Sequence, residues 1–102
     1  MKNVIPRSYK LTKYKGNDGR FKTLDPNEAI ILSHLPTKWK WIARDYNGDL
    51  FLFSNKPRKG HMHWMMTGLC ERTDFPYRTM FKTLKWEDPE AINIDNWLGE
   101  NL

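Results

Sequence analysis

The hydrophobic pattern is clearest at residues 39–53, WKWIARDYNGDLFLF, where two apolar runs flank a short polar stretch. In the first run alternate residues share a face, and one face consists of Trp39, Trp41 and Ala43. Asn47-Gly48 supplies two residues that tolerate positive φ, as a two-residue hairpin loop requires. The second run, residues 50–53, is apolar throughout, which is typical of a strand covered on both faces. We therefore expect a fold organised around a β-hairpin, with Trp41 largely buried beside Leu52 or Phe53.

A helical pattern precedes this hairpin. Asp25 is suited to the N-cap, Pro26 to the first helical position, and Glu28 completes a capping box. Three- and four-residue spacing then places apolar side chains on one side, namely Ile31, Leu32 and Leu35. Pro36 ends the pattern. A helix of about ten residues is not stable alone, so we expect this one to pack on the sheet.

Weaker patterns complete the predicted fold. Residues 61–66 read as a strand with one core face, formed by Met62, Trp64 and Met66. A helical turn is predicted within residues 74–81, a strand at residues 84–86, and a closing edge strand with Ile92 and Ile94 on one side. The predicted class is α+β: an antiparallel sheet of three to five strands, one packed helix and a second short helical turn.

The length of 102 residues predicts a single domain, 1–102. Residues 1–22 are a basic N-terminal arm or a small hairpin around the glycines at 16 and 19, and residues 23–102 form the α+β core. The single cysteine, Cys70, cannot form an internal disulfide, which fits a reducing compartment. Neither a signal-peptide pattern nor an apolar run of membrane-spanning length occurs. The sequence thus predicts a soluble cytoplasmic protein without membrane partners.

The net charge of +5 is unevenly distributed. Residues 1–24 contain seven cations and one acid, whereas residues 87–102 contain five acids and no base. The basic residues 1–24 can pair with the acidic residues 87–102, either within one chain or between two copies, so a homodimer is one alternative. The alternative is a phosphate-binding footprint. Its candidate nucleic-acid contacts are Lys10, Lys13, Lys15, Arg20, Lys22, Lys56, Arg58 and Lys59.

Motifs for catalysis are missing from the sequence: it has no phosphate loop, metalloprotease helix, nucleophile elbow or paired-cysteine knuckle. His61 and His63 could chelate a metal with Cys70, but a fourth ligand is missing. Asp45 and Asp49 flank the hairpin turn, where acids normally serve the turn itself, and we expect Arg44 to pair with one of them. The prediction is a non-enzyme that needs neither metal nor cofactor.

Large aromatic and methionine side chains exceed what one small core needs. Such residues fill thin cores, enrich protein interfaces or stack on nucleic-acid bases, and all three uses stay open here. The face opposite the predicted Trp64 core face is the best candidate for an interface. The interface candidates are Met65, His61, His63, Trp39 and Tyr77.

Two blocks of the sequence carry a family resemblance. The first is WIARD with the following NGDL and Lys56-Pro57, and the second is LKWEDP at residues 84–89. Their wording and spacing resemble a family of small proteins encoded by phages and prophages of low-GC Gram-positive bacteria, over residues 32–98. The resemblance names no catalytic residue. It implies a phage or prophage origin and a common fold. Together with the missing catalytic motifs, it predicts an accessory protein in a host-cell cytoplasm that acts by binding, with a host protein such as an antiviral-defence component as its target.

Overall fold

The computed structural model describes residues 14–15, 21–22, 24–73 and 77–99. The fold is α+β, as predicted, and within these residues it has a four-stranded antiparallel sheet, two further two-stranded sheets and two helices. The elements in chain order are β1 (Tyr14–Lys15), β2 (Phe21–Lys22), α1 (Pro26–Ser33), β3 (Trp41–Arg44), β4 (Leu50–Phe53), β5 (Arg58–Lys59), β6 (Trp64–Met65), β7 (Cys70–Arg72), a 3-10 turn (Tyr77–Thr79), β8 (Ile92–Asn93) and α2 (Ile94–Leu98).

The predicted hairpin is confirmed and lies at the centre of the main sheet, whose strand order is β7-β4-β3-β8. Its loop is longer than the predicted two residues. Gly48 N donates to the Asp45 carbonyl at 3.0 Å, and Asp45 N donates to the Asp49 carbonyl at 2.9 Å. Gly48 alone takes a left-handed conformation, with φ 95°. This is the three-residue loop that ends in a left-handed glycine, and Asn47 instead accepts a hydrogen bond from Asp49 N.

One face of the hairpin packs against the helices. Ile42, Leu50 and Leu52 face a cluster that includes Leu32 of α1 and Trp97 of α2. The capping box that starts α1 is confirmed, because Glu28 N donates to Asp25 Oδ1 at 2.9 Å and Asp25 N donates to Glu28 Oε1 at 3.4 Å. The helix packs on the sheet as its apolar pattern predicted.

The opposite face carries a second cluster, so both sides of the hairpin are covered, as the apolar run at 50–53 predicted. Ala43, Phe53 and Trp64 are buried there, and Trp41 and Trp86 pack against them. Trp41 is only half-buried, which corrects the expectation that it is largely buried. Trp39 does not share its face, because it precedes the strand and packs in the helix-side cluster.

Three other predictions of local structure are wrong. Met62 and Met66 are exposed, because only Trp64 and Met65 are extended in that segment and Trp64 alone reaches the core. Residues 84–86 form turns and no strand. The closing edge strand is present as β8 with Ile92, as predicted, but Ile94 is not part of it. Ile94 instead begins α2, whose N-cap Asn93 accepts a hydrogen bond from Asn96 N at 3.0 Å.

The second predicted helical turn is present as the 3-10 turn, while residues 74–76 of that prediction lie outside the described residues. Near the N-terminus, β1 pairs with β2 in antiparallel register. The predicted turn around the glycines at 16 and 19 lies outside the described residues, so the choice between an arm and a small hairpin stays a prediction. Across the described part of the chain, no helix is long and apolar enough to cross a membrane.

Candidate interaction surface

The guanidinium of Arg44 donates five hydrogen bonds to backbone carbonyls. Its Nε donates to the Leu84 carbonyl at 2.7 Å, and Nη1 donates to the carbonyls of Gly48 at 2.7 Å and Arg78 at 2.9 Å. Nη2 donates to the carbonyls of Met80 at 2.7 Å and Phe81 at 3.1 Å. A guanidinium has five N–H donors, so five carbonyls use all of them. We call this group the arginine hub.

The hub corrects the expectation that Arg44 pairs with an acid of the turn. Burial, and then the charge of Arg78, lower the pKa of Arg44 from its ordinary value, but a guanidinium stays charged. Its role is to hold the chain from Arg78 to Leu84 against the hairpin. That segment has little regular structure of its own and needs an external donor for its carbonyls.

Phe81 shows how firmly this segment is fixed. It is the non-glycine residue with a positive φ, 56°, in the described part of the chain. A bulky residue in this region is strained and persists only where its surroundings dictate it. Here Phe81 N donates to Glu28 Oε2 at 2.5 Å, and its carbonyl accepts from Arg44. Both backbone polar groups therefore hold the conformation, and the ring is buried in the helix-side cluster.

The two acids beside the turn have structural partners. Asp45 Oδ1 accepts from Trp64 N at 3.1 Å, and Asp45 Oδ2 lies 3.3 Å from His63 Nδ1. Asp49 Oδ1 accepts from Arg78 Nη1 at 2.9 Å. Asp49 also accepts from Asn47 Nδ2 at 3.2 Å and so serves the turn, as predicted. The Asp45 carboxylate instead binds His63 and Trp64, outside the turn.

Two of the candidate nucleic-acid contacts are engaged within the protein. Lys56 Nζ lies 3.2 Å from Glu90 Oε1. Lys59 Nζ donates to the carbonyls of Trp86 and, at 2.7 Å, Asp88, and it lies 4.2 Å from the centre of the Trp86 ring. The burial of the Lys59 amine lowers its pKa, partly offset by Asp88 and Glu87. Lys59 thus fastens the β5–β6 hairpin to the core.

The remaining sequence candidates divide into three groups. Met65, His61, His63 and Arg58 are exposed, while Trp39 is buried and cannot contact a partner without rearrangement. The side chain of Tyr77 and the basic contacts at residues 10, 13, 15, 20 and 22 lie outside the described side chains. Cys70, expected to be an ordinary buried or half-buried thiol, is exposed. Among the described residues, no group of three or more potential ligands could hold a metal ion.

The most exposed apolar surface follows β6. Every residue from Met65 to Arg72 is exposed, and we call residues 65–72 the exposed ribbon. Large apolar side chains in it and in the loop just before it are more than half exposed: Met62 54%, Met65 62%, Met66 58% and Leu69 61%. Of these residues, the sequence pattern predicted only Met65 as an interface candidate, because the strand period wrongly assigned Met62 and Met66 to the core.

An open cavity of about 570 Å³ offers a second surface, between the hairpin turn and the segment after the 3-10 turn. Cations, aromatic rings and acids line it, among them Arg78, Lys82, Lys85, Tyr46 and Glu87. Arg44 also lines it, but all its donors are used. Arg78 is paired with Asp49. Two of the cations that line the cavity, Arg44 and Arg78, therefore already bind groups of the protein itself, which leaves fewer donors for a ligand.

No protein-family model matches this chain, and neither a curated protein nor a solved structure shows significant similarity to it. The resemblance to the phage and prophage proteins therefore stays a prediction.

Proposed function

We propose that this protein is a small accessory protein, of the phage- and prophage-encoded kind it resembles, that acts by binding a host protein. The exposed ribbon, together with Met62, is the proposed contact surface. The observation that carries the proposal is the grouping of Met62, Met65, Met66 and Leu69, each more than half exposed, within eight consecutive residues. Several large apolar side chains exposed close together along the chain are typical of an interaction site.

The chemistry of the ribbon suits a protein partner. Methionine is flexible and polarisable, so it adapts to an uneven surface. Charged residues border the apolar ones, with Arg58 paired to Met65 across the β5–β6 register and Glu71 and Arg72 following at the end of the ribbon. An apolar centre with a polar rim is the usual anatomy of an interface. A component of antiviral defence is the host target that the resemblance suggests.

Binding is favoured over catalysis because three of the less exposed carboxylates are already engaged. Glu28 bonds to backbone N–H groups, Asp45 bonds to Trp64 N, and Asp49 pairs with Arg78. A general base or nucleophile needs a free lone pair facing a substrate site, whereas the oxygens of these three carboxylates accept hydrogen bonds within the fold.

The test is affinity capture of a partner from a lysate of a low-GC Gram-positive host, with and without nuclease. Met65→Asp and Leu69→Asp place a charge in the ribbon and are expected to abolish capture with an unchanged melting curve. Ile30→Asp is the matched control, because Ile30 is a partly exposed apolar residue on α1. Capture that survives both ribbon substitutions, or that Ile30→Asp removes equally, would contradict the proposal.

Nucleic-acid binding through the basic arm and the Lys56–Lys59 loop is the rival proposal, supported by the charge of residues 1–24. It predicts a gel shift with single- or double-stranded DNA or RNA that weakens log-linearly with salt. In the capture experiment, a partner lost on nuclease treatment would favour it.

A further inference from the structure

Strand β7 lies at one edge of the main sheet, with β4 on its inner side. Leu52 pairs with Glu71, and the flanking hydrogen bonds run from Ser54 N to the Leu69 carbonyl at 3.0 Å and from Thr73 N to the Leu50 carbonyl at 2.9 Å. In an antiparallel ladder alternate residues bond to the neighbouring strand. The backbone groups of Leu69, Glu71 and Thr73 therefore face β4.

Cys70 and Arg72 alternate with Leu69, Glu71 and Thr73 along β7. By the same alternation, the N–H and C=O groups of Cys70 and Arg72 point away from the sheet. Both residues are exposed, so these groups are accessible to another chain. An accessible edge of this kind is a template for one more strand.

A groove runs beside this edge, between the sheet and α1. It has a volume of about 170 Å³, and apolar side chains dominate its lining, among them Ile31, Leu35, Leu52 and Phe81. Glu71 also lines it, since it shares a sheet face with its partner Leu52. A strand added to β7 would send every second side chain towards this groove.

We propose that β7 accepts an extended segment of a partner protein as an added antiparallel strand. On the strand face that points to the groove, its apolar side chains enter the groove beside α1, and a Lys or Arg at the position opposite Glu71 pairs with that carboxylate. This inference rests on the proposed function, and it specifies the partner's chemistry as an extended segment that carries apolar residues and a Lys or Arg on one and the same face. Backbone hydrogen bonds would supply affinity, and the groove and Glu71 would supply selectivity.

A second copy of the chain fits this edge less well. Symmetric antiparallel pairing centred on Glu71 would oppose two carboxylates, and pairing centred on Arg72 would oppose two guanidinium groups. Pairing centred on Cys70 would place Leu69 opposite Glu71 and give that carboxylate no cation. Like charges directly opposite each other in a ladder are destabilising. The partner strand is therefore assigned to a different protein.

The probe is a short, capped peptide in which every second residue is Thr and the residues between them are Ile, Lys and Ile, so that Lys shares a strand face with the Ile side chains. It is titrated into the isotope-labelled full chain and followed by NMR. We expect saturable shifts at β7 and α1 and slowed amide exchange at Cys70 and Arg72. A control peptide has the same side chains but N-methyl groups on the residues that would pair with β7. Equal binding of both peptides, or no saturable shift at β7, would overturn the proposal.

A pair of protein variants isolates the edge. Arg72→Pro removes an outward N–H that the β4 ladder does not use, a position where proline is tolerated on an edge strand. Arg72→Ala is the control, because it removes the side chain and keeps the N–H. We expect Arg72→Pro to weaken peptide binding by at least about tenfold, because it removes an outward hydrogen bond and fixes φ, and Arg72→Ala by about twofold or less. If Arg72→Pro fails to fold, the N-methylated peptide decides the question alone.

The same variants separate this inference from the proposed function. Capture from lysate that is lost in Met65→Asp but kept in Arg72→Pro, with no peptide binding at β7, would overturn the strand addition and leave the proposed function standing. If the peptide binds at β7 but no captured partner is lost in Met65→Asp or Leu69→Asp, the strand addition would stand and the proposed function would be overturned. A dimer in light scattering that Arg72→Pro abolishes would assign the edge to a second copy and overturn the proposal.

Discussion

The arginine hub and the exposed ribbon use their polar groups in opposite ways. At the hub, Arg44 has five N–H donors and five carbonyl partners, and Phe81 is held in a strained conformation by both its backbone polar groups. In the ribbon, residues 65–72 are all exposed, and alternate backbone groups of β7 face solvent.

This difference separates the parts that maintain the fold from the part available for binding. A saturated polar network gains nothing from a ligand and loses much when one member is removed. An exposed apolar strand contributes little to folding, but it can gain hydrophobic burial and backbone hydrogen bonds from a partner. The hub and the ribbon should therefore respond in opposite ways to substitution.

The largest expected effect is at the hub. Arg44→Ala should lower the free energy of unfolding by about 3–5 kcal/mol, because it leaves several part-buried carbonyls without a donor. Arg44→Lys should recover only part of the loss, since an ammonium has three donors and no planar fork. Urea denaturation of both variants measures this. Wild-type stability in Arg44→Ala would show that water replaces the guanidinium without cost.

A smaller loss is expected at Glu28, which joins α1 to the hub. Glu28→Ala should cost about 2 kcal/mol, because it breaks the capping box and leaves Phe81 N without its acceptor. Glu28→Gln keeps one acceptor oxygen and should cost about half as much. Thermal melts of the two variants provide the comparison, and equal losses would point to the charge of Glu28 as the decisive feature.

The ribbon should tolerate substitution. Met66→Ser and Leu69→Ser are expected to change the free energy of unfolding by no more than about 0.5 kcal/mol, as exposed positions usually do. They should also reduce the binding of a hydrophobic dye, because they remove exposed apolar surface. A destabilisation comparable to that of Glu28→Ala would mean that the ribbon is part of the core.

The smallest effect is a pH dependence at Lys59, which fastens β5 to the core. Because burial lowers the pKa of Lys59 below its ordinary 10.5, the unfolded chain holds this proton to a higher pH than the folded one. The stability of the wild type relative to Lys59→Met should therefore rise as the pH increases from the folded-state pKa towards 10.5. Denaturation of both proteins along an alkaline pH series measures the difference. A relative stability that falls over this window would contradict the lowered pKa.

Local signals in the sequence determined the frame of the fold. Asn47-Gly48 specified the hairpin turn, Asp25 and Glu28 specified the start of α1, and the apolar run at 50–53 specified a strand covered on both faces. Each depends on residues a few positions apart, whose backbone preferences and side-chain period act before any tertiary contact forms. The length of the loop was predicted wrongly, because Asn47-Gly48 fits both a two-residue and a three-residue hairpin loop.

Only the tertiary structure decided the partners of Arg44, the exposure of Met62 and Met66, and the position of β7 at a sheet edge. The carbonyls around Arg44 come mainly from residues 34 to 40 positions away, and no local pattern encodes that convergence. Met62 and Met66 follow a strand period that the chain does not adopt, because the extended segment ends after Met65. Strand order is set by which surfaces bury best together, so the position of β7 at the edge, and with it the candidate site, required the folded chain.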